Sequence, residues 1–239
     1  MKSGFENLKI KIFADGADIA SMKEMNDKTW IKGLTTNPTL MRKSGISNYK
    51  NFAQKVLEFV QEKPISFEVF SDDLQEMKKQ AHEIASWGPN VFVKIPITNT
   101  KGVSTASIIK ELSSNGVQLN VTAVMTVGQV KQIASNLNSK VPSYVSIFAG
   151  RIADTGVDPS KIVSESLLIL GSNKRSEIIW ASPRELLNVF QAAELGCHVI
   201  TATTDILNKM KLIGHDLEIY SLETVKMFYD DSQAAGFTL

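Results

Sequence analysis

Eight short β-rich runs, each followed by a stretch with helical spacing, alternate along this chain to its end. The runs are KIFAD (11–15), IKGLTTN (31–37), ISFEVF (65–70), NVFVKIP (90–96), VQLNVTAV (117–124), YVSIFAG (144–150), EIIWAS (177–182) and CHVITAT (197–203). Between them, 71–88 places Leu74, Met77, Ala81, Ile84 and Ala85 at three- and four-residue spacing, with acids at its start and Gly88 at its end. That pattern predicts a capped amphipathic helix. The segment 182–196 reads the same way, with Ser182 as N-cap, Pro183 at the first helical position and Gly196 just past the end. No Pro/Gly/Ser-rich linker interrupts the series. Strand-then-helix units in unbroken repetition predict an α/β fold of parallel strands, a closed (β/α)8 TIM barrel in one domain over 1–239. An open doubly wound sheet is the alternative, and 216–239 is expected to add a C-terminal helix or tail.

Composition excludes several function classes. Lys and Arg number 26 against 25 Asp and Glu, a net charge of +1, so the chain lacks the basic surplus of a nucleic-acid binder. The longest apolar runs, such as SLLILG (166–171), fall far short of a membrane span, and the start MKSGFENLKIKIF has no uninterrupted apolar signal core. Cys197 is the one cysteine, which rules out an intrachain disulfide and agrees with a reducing, cytoplasmic compartment.

In a barrel of this kind the C-terminal strand ends face the pocket. Asp15, Asn37, Glu68, Lys94, Asn120 with Thr122, Ser146 and Ser182 fall at or near those ends. Singly, each has an ordinary explanation as a cap or turn residue, and Lys94 could snorkel outward. Seven strands carrying polar groups toward one rim instead predict a site. Lys94 interrupts an apolar run, and burial among Phe92, Val93 and Ile95 would disfavour its ammonium form, making it a Schiff-base candidate. Asp15 and Glu68 are the carboxylates positioned to divide base and proton-shuttle work. His82, His198 and His215 show no ligand spacing, so no metal is expected, and neither a P-loop nor a dinucleotide fingerprint occurs. Arg151 and Arg184, just beyond two strand ends, offer planar donor forks for an anion.

These residues resemble the transaldolases and related fructose-6-phosphate aldolases, Schiff-base enzymes on a (β/α)8 barrel. The likeness runs through GLTTNPTL (33–40), FVKIPIT (92–98), LNVTAV (119–124), VSIFAGRI (145–152) and ASPRE (181–185), in the family's order and with the lysine on the fourth strand. The resemblance implies that Lys94 forms the imine and Asp15 is the base in carbon–carbon cleavage. Glu68 with Thr122 would hold the proton-relaying water, Asn37 and Ser146 would bind substrate hydroxyls, and Arg151, Arg184 and Ser182 would hold phosphate. Glu68 and Phe148 stand where the aldolase branch tends to carry glutamine and tyrosine, so both look like the transaldolase branch.

It further implies sugar-phosphate substrates, no organic cofactor, a place in the pentose phosphate pathway and assembly into pentamers or decamers. Three positions depart from the family pattern: Ile147 replaces a common proline, Pro183 a bulkier residue, and Glu185 puts an acid after the second arginine. A sugar with a different terminal anion is one alternative. An aldolase releasing free dihydroxyacetone is another, and a non-catalytic sugar-phosphate binder is a third, from a different class.

Overall fold

A computed structural model of the chain describes residues 8–238. Residues 1–7, where the sequence was read as lacking a signal core, and residue 239 lie outside the described residues. Among the described residues eight strands occur: β1 (Lys11–Asp15), β2 (Ile31–Thr35), β3 (Ile65–Glu68), β4 (Val91–Pro96), β5 (Leu119–Val124), β6 (Ser143–Ile147), β7 (Ser176–Trp180) and β8 (Val199–Thr203). They pair in chain order, all parallel, and β8 closes on β1. The sheet is therefore a closed (β/α)8 barrel, and the open doubly wound alternative is overturned. The intervening helices are α1 (Ile19–Asp27), α2 (Pro38–Lys43), α3 (Tyr49–Leu57), α4 (Leu74–Ala85), α5 (Ala106–Ser114), α6 (Val127–Ala134), α7 (Ala149–Ala153), α8 (Ser160–Leu170) and α9 (Leu187–Glu194). After β8 come α10 (Thr204–Asn208), a 3-10 turn and α11 (Leu217–Ala235). Among the described residues no helix is long and apolar enough to cross a membrane.

The strands are buried on both faces, which is why they read as nearly continuous apolar runs. On β4, Val91, Val93 and Ile95 pack outward against the helical layer, whereas Phe92 and Lys94 turn into the barrel. The lower interior is apolar. Phe13, Phe92, Tyr144, Ile179 and Val199 fill it, with the Phe92 and Tyr144 rings 4.5 Å apart and Phe13 set edge-on to Tyr144 at 5.5 Å. Gly33 makes room for this layer, since a Cβ there would lie 2.6 Å from the Phe13 ring. Above it, polar side chains replace apolar ones toward the mouth.

The segment 71–88 forms α4, capped by Asp73, whose side chain accepts from Gln75 N and Glu76 N. The segment 182–196 departs from expectation. Its helix begins at Leu187, so Ser182 is no N-cap and Pro183 lies outside the helix. Ser182 adopts φ +60, and the Asn188 side chain reaches back to accept from Arg184 N and Glu185 N. The run 144–150 likewise splits, because Ala149 and Gly150 already belong to α7. Cys197 is buried, and burial pushes its thiol up to about 12.

Candidate active site

Strand alternation and register decide what meets at the mouth. Glu68 pairs with Lys94 across β3 and β4, and Lys94 pairs with Asn120 across β4 and β5, so their side chains enter the barrel side by side. Lys94 is 6% exposed. Its Nζ donates to the Thr36 carbonyl at 3.0 Å and lies 3.3 Å from Glu68 Oε2. The apolar surroundings expected for this amine are therefore corrected: Val93 and Ile95 face the helices, Phe92 lies one layer below, and the nitrogen itself meets oxygen atoms. Proton transfer between amine and carboxylate needs no intervening group at this separation.

Asp15 occupies the end of β1, paired in register with Thr35. Its carboxylate accepts from Thr35 Oγ1 at 2.7 Å and from Asn37 Nδ2 at 3.2 Å. Thr35 Oγ1 also lies 2.6 Å from Thr201 Oγ1 on β8. Asn37 has two tasks: its Oδ1 caps α2 by accepting from Leu40 N at 3.0 Å, which aims its amide nitrogen at Asp15. The cap reading of Asn37 holds, and the same residue lines the cavity described below. Loss of surrounding water raises the Asp15 pKa above the ordinary carboxylate value, against the opposing pull of Lys94 and the Thr35 hydroxyl.

On the other side of the lysine, Asn120 donates to Ser66 Oγ at 2.9 Å and accepts from Ser146 Oγ at 2.7 Å, tying β3, β5 and β6 together inside the barrel. Thr122 is 1% exposed, and its hydroxyl has no hydrogen-bond partner among the described residues. The register between β5 and β6 shifts between Val121 and Val124, and Ala123 takes φ +60 within that irregularity. A bulge of this kind re-aims neighbouring side chains at a barrel rim.

A cavity of about 600 Å³ opens over these groups. It is lined by Asp15, Asn37, Glu68, Lys94, Thr122, Ser146, Phe148, Arg151, Ser182 and Arg184, so these ten candidate positions meet there, whereas Asn120 does not line it. Lys43 and Asp205, which no motif or spacing marked out, also line it. Glu185 does not line it, so the acid expected beside the anion site is misplaced. Asp154 takes that position instead: Arg184 Nε donates to Asp154 Oδ1 at 2.9 Å and Arg184 Nη2 donates to Oδ2. This fork holds the Asp154 carboxyl below its usual range. Asp154 lies three residues after Arg151, one helical turn along α7, a relation hidden while 144–150 read as strand.

The Arg184 loop is held by a close backbone approach. A Cβ on Gly150 would sit 1.6 Å from the Ser182 carbonyl oxygen. Gly150→Ala is therefore expected to lower stability by about 1–3 kcal/mol and to push the Ser182–Arg184 segment out of the cavity wall. Thermal unfolding measures the first effect. A melting temperature equal to that of the unaltered protein would contradict this packing.

The histidines are dispersed. His82 is exposed on α4, His198 Nδ1 accepts from Ile178 N at 3.0 Å, and His215 Nε2 lies 3.1 Å from Glu223. Among the described residues no group of three or more His, Cys, Asp and Glu side chains could hold a metal ion.

The family model for Transaldolase/Fructose-6-phosphate aldolase matches residues 12–239. A probable transaldolase of Dehalococcoides mccartyi is 36% identical over 209 residues, which cover 87% of this chain and 92% of the relative. One from a Thermoanaerobacter species is 34% identical over 233 residues, covering 96% of this chain and 100% of the relative. One from Methanococcus maripaludis is 34% identical over 211 residues, covering 87% and 92%. Among solved structures, β-methylaspartase from Clostridium tetanomorphum superposes with a TM-score of 0.54 at 12% identity over 86% of this chain. The overlap is 57% of that enzyme, a likeness of fold alone.

Proposed function

This chain belongs to the transaldolase/fructose-6-phosphate aldolase family, and from that membership we propose that it is a transaldolase that passes a dihydroxyacetone unit from a ketose phosphate to an aldose phosphate through an imine on Lys94. The observation that carries this reading is a lysine 6% exposed inside the barrel mouth, its amine 3.3 Å from one carboxylate while a second carboxylate faces the same cavity.

The steps follow from that placement. Lys94, having given a proton to Glu68, attacks the C2 carbonyl of a donor such as fructose 6-phosphate or sedoheptulose 7-phosphate. The resulting carbinolamine loses its hydroxyl as water, with the proton returned through Glu68 and a water held against Thr122. The iminium then withdraws electrons from C3. Asp15 takes the C4 hydroxyl proton, the C3–C4 bond breaks, its electron pair makes an enamine, and the aldose phosphate departs. An acceptor such as erythrose 4-phosphate or glyceraldehyde 3-phosphate is attacked by the enamine carbon. Asp15 returns its proton to the new hydroxyl, and hydrolysis frees Lys94. In this scheme Asn37 and Ser146 bind sugar hydroxyls and Phe148 packs against the sugar. Ser182, Arg151 and Arg184 hold the phosphate, with Asp154 orienting the Arg184 fork.

A cytoplasmic place in the pentose phosphate pathway belongs to the same reading. So does assembly into pentamers or decamers, for which α11 supplies the surface: it has no buried residue and exposes Leu217, Val225 and Phe228.

The test is borohydride reduction with each ketose phosphate, followed by a screen of acceptors. A stable mass increase on Lys94, with product forming only when an aldose phosphate is supplied, is expected. Release of free dihydroxyacetone without an acceptor would move the assignment to an aldolase. Preference for donors carrying another terminal anion would reassign the arginines. An unmodified Lys94 with bound sugar phosphate would leave a non-catalytic binder.

A further inference from the structure

The seam between β2 and β3 holds an arrangement that the steps above leave unused. Two register pairs, Leu34 with Ile65 and Thr35 with Ser66, join these strands. The hydrogen bonds across it include Leu34 N–H to Pro64 O at 2.9 Å and Thr36 N–H to Ser66 O at 3.2 Å. In a parallel ladder the next rung would run from Glu68 N–H to the Thr36 carbonyl. That rung is replaced. Glu68 N–H donates to the Tyr49 hydroxyl at 2.7 Å, and the same hydroxyl donates to the Glu68 carbonyl at 2.8 Å. The Thr36 carbonyl, released from strand pairing, accepts the amine of Lys94 at 3.0 Å.

We infer that Tyr49, on the first turn of α3, is a positioning residue for imine formation: its hydroxyl substitutes for the missing rung, which keeps the Thr36 carbonyl open for Lys94 and fixes Glu68 beside the amine. The inference rests on the Schiff-base reading of Lys94. Its chemical content is directional. Attack on a carbonyl carbon requires the nitrogen lone pair to point into the cavity, and an N–H anchored on Thr36 O restricts how the amine can turn. If the seam zipped by one more rung, Thr36 O would be occupied by Glu68 N–H and the amine would lose that anchor.

The ring of Tyr49 is seated independently of its hydroxyl. It lies 6.4 Å from the Phe67 ring, 5.5 Å from Phe70 and 5.9 Å from Trp87, centroid to centroid. Burial raises the phenol pKa, so the hydroxyl remains a donor through neutral pH. Tyr49→Phe thus removes the two polar contacts while keeping the ring contacts. Trp87→Phe perturbs the same aromatic cluster and leaves the seam alone.

The rate of imine formation is read by quenching single turnovers with borohydride and quantifying the Lys94 adduct over a range of pH. Tyr49→Phe is expected to slow adduct formation about tenfold and to displace its pH profile, whereas Trp87→Phe stays within about twofold of the unaltered protein. The KM for the phosphorylated donor is expected to change little in either, since neither residue faces the arginines. Adduct formation in Tyr49→Phe at the unaltered rate, with the same pH profile, overturns the inference. A Tyr49→Phe protein that melts before assay, where Trp87→Phe does not, overturns it as well, because the hydroxyl then serves folding. Absence of any Lys94 adduct in the unaltered protein is a different failure and sinks the Schiff-base reading itself.

Discussion

Lys94→Met is expected to lower kcat by a factor on the order of 10⁴ to 10⁶, the scale seen when a covalent nucleophile is removed, and to abolish the borohydride adduct. Methionine approximates the length and volume of lysine, so the barrel interior stays filled. What disappears is the buried nitrogen proposed to bond to the sugar carbonyl. The substitution also leaves the Thr36 carbonyl and Glu68 Oε2, at 3.0 and 3.3 Å from the amine, without that partner. Some loss of thermal stability is therefore expected beside the catalytic loss. Mass spectrometry after reduction distinguishes the two effects, because a folded variant that still formed an adduct would have to use another amine. Lys43 is the cavity-lining lysine to inspect in that event. Substantial turnover without an adduct would remove covalent catalysis from the account.

Asp15→Asn separates the first half of the reaction from the second. In the proposed scheme imine formation relies on Lys94, Glu68 and Thr122, so the adduct should persist, while cleavage of the C3–C4 bond loses its base and falls by about 10²–10⁴-fold. Full turnover in this variant would take Asp15 out of that role. The raised Asp15 pKa adds a dependence on pH. As a base Asp15 works ionised, so the acid limb of kcat in the unaltered enzyme is expected above the ordinary carboxylate range.

Stability should move in the opposite sense. Between the ordinary value and the raised one, the folded chain retains a proton that the unfolded chain has released. Stability contributed by this group therefore declines as pH rises through that window, and an asparagine has no such titration. The melting temperature of Asp15→Asn relative to the unaltered protein should consequently shift upward as pH climbs from about 4. A constant difference across that range would mean that desolvation does not set the titration of Asp15.

Much of this was legible in the sequence because barrel strands obey two constraints at once. Burial on both faces makes each strand a compact apolar run, and the functional end of each run must carry whatever polar group the cavity needs. Lys94, Asp15 and Glu68 satisfy both, so they stood out. Strand ends were less legible. Ala149 and Gly150 continue the apolar run of β6, and only the packing of α7 against Ser182 reveals that the chain has turned there. Ser182 and Pro183 imitate a helix start in their residue types, but the close approach of Gly150, more than thirty positions earlier, accompanies a left-handed serine instead. Asp154 and Tyr49 were invisible for a different reason. Each acts through a partner set by tertiary packing, and for Tyr49 and Thr36 the partners include main-chain atoms, which every residue possesses.

The aromatic layer formed by Phe13, Phe92 and Tyr144 closes the barrel beneath the polar mouth. With that floor shut, both sugars of the proposed reaction would share a single doorway, and the cleaved aldose would have to back out before its successor could be admitted. In the proposed transfer the protein is a relay with one waiting place, in which the three-carbon passenger stays bonded to the wall while its companions change.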